Sequence, residues 1–306
     1  MYYIFLLLKV MGVNSVKRSY IGKYFTIIEL IVVITVMGVL AGIGIPSMFK
    51  AKEKAKYVRW LGFNNQWNSD PSTVINYNFE NPDFKTNYMG TSFPALYNSA
   101  TSCDAKDFVQ NDYHGILMNG PEWKNSGRWK TKKCLQFNGR NSYVVIPGSS
   151  AIDFDLGKDD FTIEAWVNLD NLNGVAQAFF SKCEWYSISQ YDAYLTKKRF
   201  EVDSGNGSAA WLSPKPEANK WFNLVLRSEA GKCQLYLNGQ EMTDKSADYT
   251  NPCTDEKTSY PFILGAASIS GNTRNYFFQG RMDELTVFKR ALTPGEIKGF
   301  YEMGVP

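Results

Sequence analysis

Side chains that do metal and proton chemistry are scarce in this chain. One histidine, His114, in 306 residues argues against zinc or haem ligation. The five cysteines, Cys103, Cys134, Cys183, Cys233 and Cys253, contain no Cys-x-x-Cys spacing, which points the same way. Their odd number leaves one thiol unpaired or intermolecular if the chain is exported and oxidised. Cys103 with Cys134 is the first pair to test, because both flank one loop region. No internal repeat is visible. The net charge is only +3, and much of the basic excess sits before residue 60, in Lys50, Lys52, Lys54, Lys56 and Arg59 among others. The remainder has no broad basic face, which excludes a nucleic-acid partner of the ordinary electrostatic kind.

What the chain does have is one long apolar run. From Phe25 to Ile45 it runs 21 residues with a single charge, Glu29. A helix of that length rises about 30 Å, the hydrocarbon thickness of a bilayer. A carboxylate inside such a segment costs about 2.5–3.5 kcal/mol at its centre and less near an end, and normally has a partner. The segment therefore reads as a single-pass membrane helix that meets another charged group.

The run resembles the N-terminus of type IV prepilins and the related pseudopilins of type II secretion. Phe25-Thr26-Ile27-Ile28-Glu29 is similar to the family's Phe-Thr-Leu-Ile-Glu, Glu29 falls on its acid, and Pro46 falls at its proline kink. The resemblance implies a leader cut before Phe25 by prepilin peptidase. It also implies assembly with other pilin subunits, in which Glu29 pairs with a neighbour's N-terminal amine. The family cuts after glycine, and here that position is Tyr24, so cleavage is expected to be poor or absent. The apolar start Met1–Leu8 is also unlike a prepilin leader. Translation from Met11 would give a short basic one with Lys17, Arg18 and Lys23, in keeping with the positive-inside rule.

Beyond Pro46 the positions Met48, Ala51, Ala55, Val58 and Gly62 recur at helical steps with lysines between them. The membrane helix is predicted to continue out of the bilayer and end near Gly62, Asn64, Asn65 and Pro71. From residue 74 the pattern becomes strand-like. Phe161-Thr162-Ile163-Glu164-Ala165-Trp166-Val167 alternates at period two with Phe161, Ile163 and Ala165 inward. Val74–Phe79, Tyr143–Ile146, Trp221–Arg227, Cys233–Leu237 and Arg281–Phe288 read as further strands, and Asn238-Gly239 as a tight hairpin turn. The stretch from Asn81 to Cys103 shows no periodicity and reads as a long loop. Thr293-Pro294-Gly295-Glu296 is a capping box opening a short helix packed through Ile297, Phe300 and Tyr301. The predicted organisation is a leader at 1–24, a pilin-type helix at 25–62 with its membrane part at 25–45, a linker at 63–73, and an all-β sandwich at 74–306 with a short C-terminal helix.

A second resemblance covers residues 75 to 302. The segments Asn76–Glu80, His114–Leu117 with Asn119–Pro121, Leu135–Gly139 with Tyr143–Pro147, Phe161–Val167, Trp221–Leu226 with Leu235–Gly239, and Gly280–Leu285 with Arg290–Thr293 resemble, in order, those of laminin-G-like domains of the concanavalin A-like jelly-roll superfamily. That implies the fold more than it implies a function. Glycoside hydrolases on this jelly roll carry paired acids on one strand, as glycosidic cleavage needs. Here Asp283 and Glu284 are adjacent and should point to opposite faces, while Glu164 stands alone, so the expectation is no enzyme. Relatives often hold a structural Ca²⁺, and the matching positions are Glu80, Gly139 and Asp283, a mixture of oxygen ligands that calcium accepts. Trp166, Trp185, Tyr194 and Trp211 are the candidates for stacking on a sugar or protein ligand. The functional expectation is a minor pilin or pseudopilin-like protein of the cytoplasmic membrane that displays a binding domain outside. The competing expectations are a structural pseudopilin without a ligand of its own and, less favoured, an exported glycoside hydrolase.

Overall fold

A computed structural model describes residues 26–79, 100–105, 115–130, 132–146, 152–154, 158–172, 176–184, 188–195, 199–204, 207–212, 214–247, 261–270 and 273–306. The chain divides into two compact units, Met1–Lys52 and Glu53–Pro306. A single helix, α1 (Ile27–Asn68), begins in the first and ends in the second.

In the first unit the large apolar side chains described on α1 are exposed. Ile27, Leu30, Ile34, Met37 and Leu40 are among them, all more than half exposed. The predicted membrane segment is only partly described, because the side chains of residue 41 and residues 43–47 are outside the described set. Among the described residues no helix is long and apolar enough to cross a membrane.

The second unit is a sandwich of antiparallel strands: β1 (Thr73–Tyr77), β2 (Ala100–Ala105), β3 (Gly115–Met118), β4 (Glu122–Lys124), β5 (Cys134–Asn138), β6 (Tyr143–Ile146), β7 (Phe161–Leu169), β8 (Gln177–Glu184), β9 (Ile188–Leu195), β10 (Phe200–Ser204), β11 (Gly207–Trp211), β12 (Trp221–Glu229), β13 (Lys232–Leu237), β14 (Gln240–Glu241), β15 (Lys245–Ala247), β16 (Phe262–Leu264), β17 (Ala267–Ser270), β18 (Thr273–Asn275) and β19 (Gln279–Phe288). One large sheet runs β14-β13-β12-β7-β19-β5-β4, with β1 also on β19; the second runs β15-β11-β10-β9-β8-β16-β6-β3-β2, and β17 and β18 pair as a separate two-stranded sheet. Helix α2 (Pro294–Gly304) closes the chain.

Period two fills the space between the sheets. Phe161, Ile163, Ala165, Val167 and Leu169 of β7 join Phe222, Leu224 and Leu226 of β12 and Phe179 of β8 in one buried cluster. Asn238 and Gly239 both have positive φ (54° and 74°), the geometry that a two-residue hairpin between twisted strands needs. Thr293 and Glu296 form the reciprocal capping box, and Ile297 and Phe300 are buried beneath α2.

The first sheet has a second layer on its outer face. Trp60 of α1 packs with Val225, Tyr236, Phe288, Ile297 and Phe300, and Phe63 and Trp67 lean on the same cluster. Trp67 stacks on Phe300 at 5.0 Å and meets Phe288 edge-on at 5.5 Å. This packing carries α1 beyond its predicted end at residue 62 to Asn68, into the predicted linker. Gly62 and Asn64 are weak helix formers, but aromatic burial outweighs about 1 kcal/mol of propensity. Asn76 of β1 then donates to Asn68 Oδ1 at 2.6 Å, and Arg290 bridges Asp70 (3.3 Å) and Glu296 (2.7 Å), tying the helix exit to the sandwich. The strand Ala100–Ala105 overlaps the end of the stretch expected to be loop, which runs to Cys103. Cys134 is buried with its Sγ 3.6 Å from the Ser126 carbonyl oxygen, while the Cys103 side chain is outside the described set.

Candidate functional site

Three regions of the described structure concentrate polar chemistry, and the first is the start of α1. Thr26 and Glu29 form a reciprocal cap: Thr26 N and Oγ1 each donate to Glu29 Oε2 at 2.9 Å, and Glu29 N donates to Thr26 Oγ1 at 3.2 Å. The Thr-x-x-Glu spacing is itself a capping-box signal, and it gives Glu29 a local partner. Tyr24 and Phe25 lie outside the described residues.

The second region is buried under α1 and α2. Arg128 lies with its guanidinium carbon 4.5 Å from the Trp60 ring centre and 4.2 Å from that of Trp166. Its Nη1 donates to the Gly304 carbonyl at 2.7 Å, its Nη2 pairs with Glu284, and its backbone N donates to Asp283 Oδ2 at 2.8 Å. Trp60 Nε1 also donates to Glu284. Glu164 completes the group, accepting from Asn223 Nδ2 at 2.5 Å. Adjacent strand residues should face opposite ways, and the expectation for Asp283 and Glu284 fails for a physical reason. The register of β19 against β7 slips between Asp283 and Leu285, and Glu284 has φ +67°. This bulge turns both carboxylates onto Arg128. One cation therefore faces three carboxylates in a closed space. Burial pushes Glu164 up to about 8 and Asp283 to about 6, with Arg128 opposing both, and burial also holds Glu284 well above the usual carboxylate range.

That arrangement does not fit calcium. Asp283 Oδ2 is taken by the Arg128 backbone, and the guanidinium Nε stands 4.0 Å away, where it would repel a cation. Gly139 sits at the other end of β19, where its N donates to the Phe278 carbonyl at 3.0 Å. Along the strand that is about 13 Å or more from Asp283. Glu80 lies outside the described residues. Among the described residues no cluster of His, Cys, Asp and Glu is arranged to hold a metal.

The predicted stacking residues divide likewise. Trp166 is 1% exposed and stacks on Tyr301 at 6.0 Å, and Trp211 is 0% exposed in the sandwich core. Both are corrected from surface candidates to packing residues. Trp166 does face away from the sandwich core, but α2 and Arg128 cover that face. The Tyr194 side chain and all of Trp185 lie outside the described residues.

The third region is open and was not singled out from the sequence. A cleft of about 160 Å³ opens at the end of the first sheet, lined by Gly120, Glu122, Gln136, Asn138, Asp170 and Gln279, with Phe137 beneath. Gln136 Nε2 donates to Asp170 Oδ2 at 3.0 Å, and Asn171 Nδ2 donates to Gln279 Oε1 at 2.7 Å. Amides and carboxylates held by one another present fixed donors and acceptors, which is the chemistry of polar-ligand recognition.

Two large antiparallel sheets packed face to face define a β-sandwich of the jelly-roll class. Residues 138–298 match the laminin G-like family described as the concanavalin A-like lectin/glucanases superfamily, and the chain belongs to that family. No protein of curated function matches the sequence. Among solved structures, the binding domain of Paraclostridial Mosquitocidal Protein 1 is similar at TM-score 0.52 and 17% identity, covering 75% of this chain and 52% of its own length. Domain 4 of AbnA, a GH43 extracellular arabinanase from Geobacillus stearothermophilus solved with arabinotriose, gives TM-score 0.50 and 17% identity over 75% of this chain and 98% of that one. A Trypanosoma rangeli sialidase in complex with sialic acid gives 0.51 and 17% over 85% of this chain and 39% of the sialidase. The chain thus spans about half of the toxin domain and well under half of the sialidase. At these identities the likeness establishes the fold.

Proposed function

We propose that this chain is a pilin-like surface protein. In this reading helix α1 is anchored in the cytoplasmic membrane and holds a laminin G-like sandwich outside the cell to bind a glycan or protein. The observation that carries the proposal is the division of labour along α1. From Ile27 to Leu40 its large apolar side chains are exposed, whereas Trp60, Phe63 and Trp67 are packed into the sandwich unit. A water-soluble domain gains nothing from the first half, and a bilayer or a bundle of like helices covers it. The described apolar stretch rises about 20 Å, and in sequence the run continues to Ile45. Toxin binding domains and a module solved with arabinotriose share the fold, which supports binding as the work of the displayed part.

As a pilin relative, the chain would join other pilin subunits through α1 after processing by prepilin peptidase. Tyr24 in place of glycine makes processing the weak step. The competing reading, a structural pseudopilin without its own ligand, gains from the burial of Trp166 and Trp211. Hydrolysis is disfavoured, because Glu164, Asp283 and Glu284 are locked around Arg128 beneath two helices. Cell fractionation with external protease tests the proposal. The full chain should pellet with membranes, and its C-terminal domain should be digested in spheroplasts. A chain recovered in the cytosol, or one protected from external protease, would contradict it.

A further inference from the structure

The outer face of the first sheet carries a line of polar and aromatic side chains that leads into the cleft. Strand register sets it out. Trp221 of β12 pairs with Asn168 of β7, Asn168 with Arg281 of β19, Arg281 with Gln136 of β5, and Gln136 with Glu122 of β4. Residues paired across a sheet share a face. On this face they point away from the core, since their neighbours Phe222, Val167, Met282, Leu135 and Phe137 are buried between the sheets. Arg281 joins the line together: its guanidinium carbon lies 5.7 Å from the Trp221 ring centre, and its Nη2 donates to Asn168 Oδ1 at 3.3 Å. Its Nε is buried and has no hydrogen-bond partner. Trp221, Arg281 and Gln136 are half-buried and Glu122 is exposed, so these four are reachable, while Asn168 is buried and serves to hold Arg281.

We infer that this row, from Trp221 through Arg281 and Gln136 to the cleft at Glu122 and Asp170, is a binding surface for a neutral oligosaccharide laid across the strands. The inference deepens the binding reading above and rests on it. Five adjacent strands at about 4.8 Å spacing make a track of about 19 Å, longer than one sugar ring. Planar amide, carboxylate and guanidinium groups along the track supply paired donors and acceptors suited to hydroxyls, and the Trp221 face suits the apolar face of a ring. A peptide would need a pocket for an apolar anchor, and among the described residues the only apolar side chain lining the cleft is Phe137, which belongs to the core. An anionic glycan would meet Glu122 and Asp170 in the cleft, with Arg281 already held over Trp221 and bonded to Asn168.

The test uses the full chain in a zwitterionic detergent, since sugar-headed detergents would compete. Titration against arabinotriose, cellotriose, maltotriose and their longer homologues, with sialyl-lactose as the anionic comparator, gives the affinity. Trp221→Ala and Asp170→Asn are then measured on the best probe, with thermal melts to confirm that each variant is folded. Neutral probes should bind, and each variant should weaken binding by about tenfold without moving the melt appreciably. Neutral binding left unchanged in both variants would overturn the row while keeping the binding reading. Binding of the sialylated probe alone would overturn the neutral class. Native protein that binds none of the panel would overturn the row and remove the support for a glycan ligand altogether.

Discussion

Replacing Glu164 by glutamine should flatten the pH dependence of stability. Glu164 is fully buried, accepts one hydrogen bond from Asn223, and is pushed to about 8 against an ordinary 4.5, with burial the largest cause. Its folded-state value is raised, so the folded state keeps a proton that the unfolded chain has released. Stability from this group is therefore complete below about pH 4.5 and is lost as pH rises through about 8. Worked through the two values, the native protein should lose about 3–4 kcal/mol from this group between pH 5 and pH 8. Glutamine keeps the shape and the acceptor for Asn223 but has no proton to lose. The assay is urea unfolding of the detergent-solubilised chain, followed by tryptophan fluorescence, at pH 5, 6, 7 and 8. At pH 5 the variant should lie within about 1 kcal/mol of native, because both are neutral there. At pH 8 it should be the more stable of the two. Asp283 and Glu284 leave both proteins a residual slope of the same sign, and Lys182, whose value burial pushes down, works in the opposite sense. Lys182 cancels in the comparison, and losing Glu164 also removes one cause of the high Glu284 value, so the variant's residual slope is the shallower one. Parallel pH profiles for the two proteins would refute the reasoning.

Other perturbations follow from the same geometry. Arg128→Met removes the cation paired with both Asp283 and Glu284, and should cost about 3–5 kcal/mol in the same unfolding assay at pH 7. A loss under 1 kcal/mol would mean that the carboxylates do not depend on it. Gly304→Ala places a Cβ 2.5 Å from Trp166 Cζ2 and against the Arg128 guanidinium, so it should destabilise by about 1–3 kcal/mol, seen as a lowered urea midpoint. Because Asp283 is committed to Arg128, neither added calcium nor ethylenediaminetetraacetate should shift the melting temperature. A rise of several degrees with calcium would reinstate a metal site.

The fold was legible wherever its determinants are local. The alternation in Phe161–Val167, the Asn238-Gly239 turn and the Thr293-Glu296 capping box each require only a few neighbouring residues, and each forms as expected. What was not legible depends on residues far apart in the chain. Trp166 lies on the outer face of β7, but a period-two pattern cannot reveal that α2, more than a hundred residues later, covers that face. The joint turn of Asp283 and Glu284 onto Arg128 depends on a bulge that one strand's sequence does not announce. The row from Trp221 to Glu122 exists only through the register of five strands. Its members sit unremarkably in sequence among strand and turn residues. The end of α1 was missed because Phe63 and Trp67 are helical for the sake of contacts with Phe288 and Phe300, and the local glycine and asparagines argue the other way.

Shearing filaments from intact cells and probing both filament and membrane fractions for this chain tests the central claim most directly, with intact mass read on whatever is recovered. A pilin-like display protein should appear in the sheared fraction at low copy, with a mature N-terminus at Phe25 if Tyr24 is tolerated by the peptidase. It should also carry neutral-oligosaccharide binding that Trp221→Ala weakens about tenfold. Absence from the sheared fraction with the full-length chain retained in the membrane would contradict filament assembly.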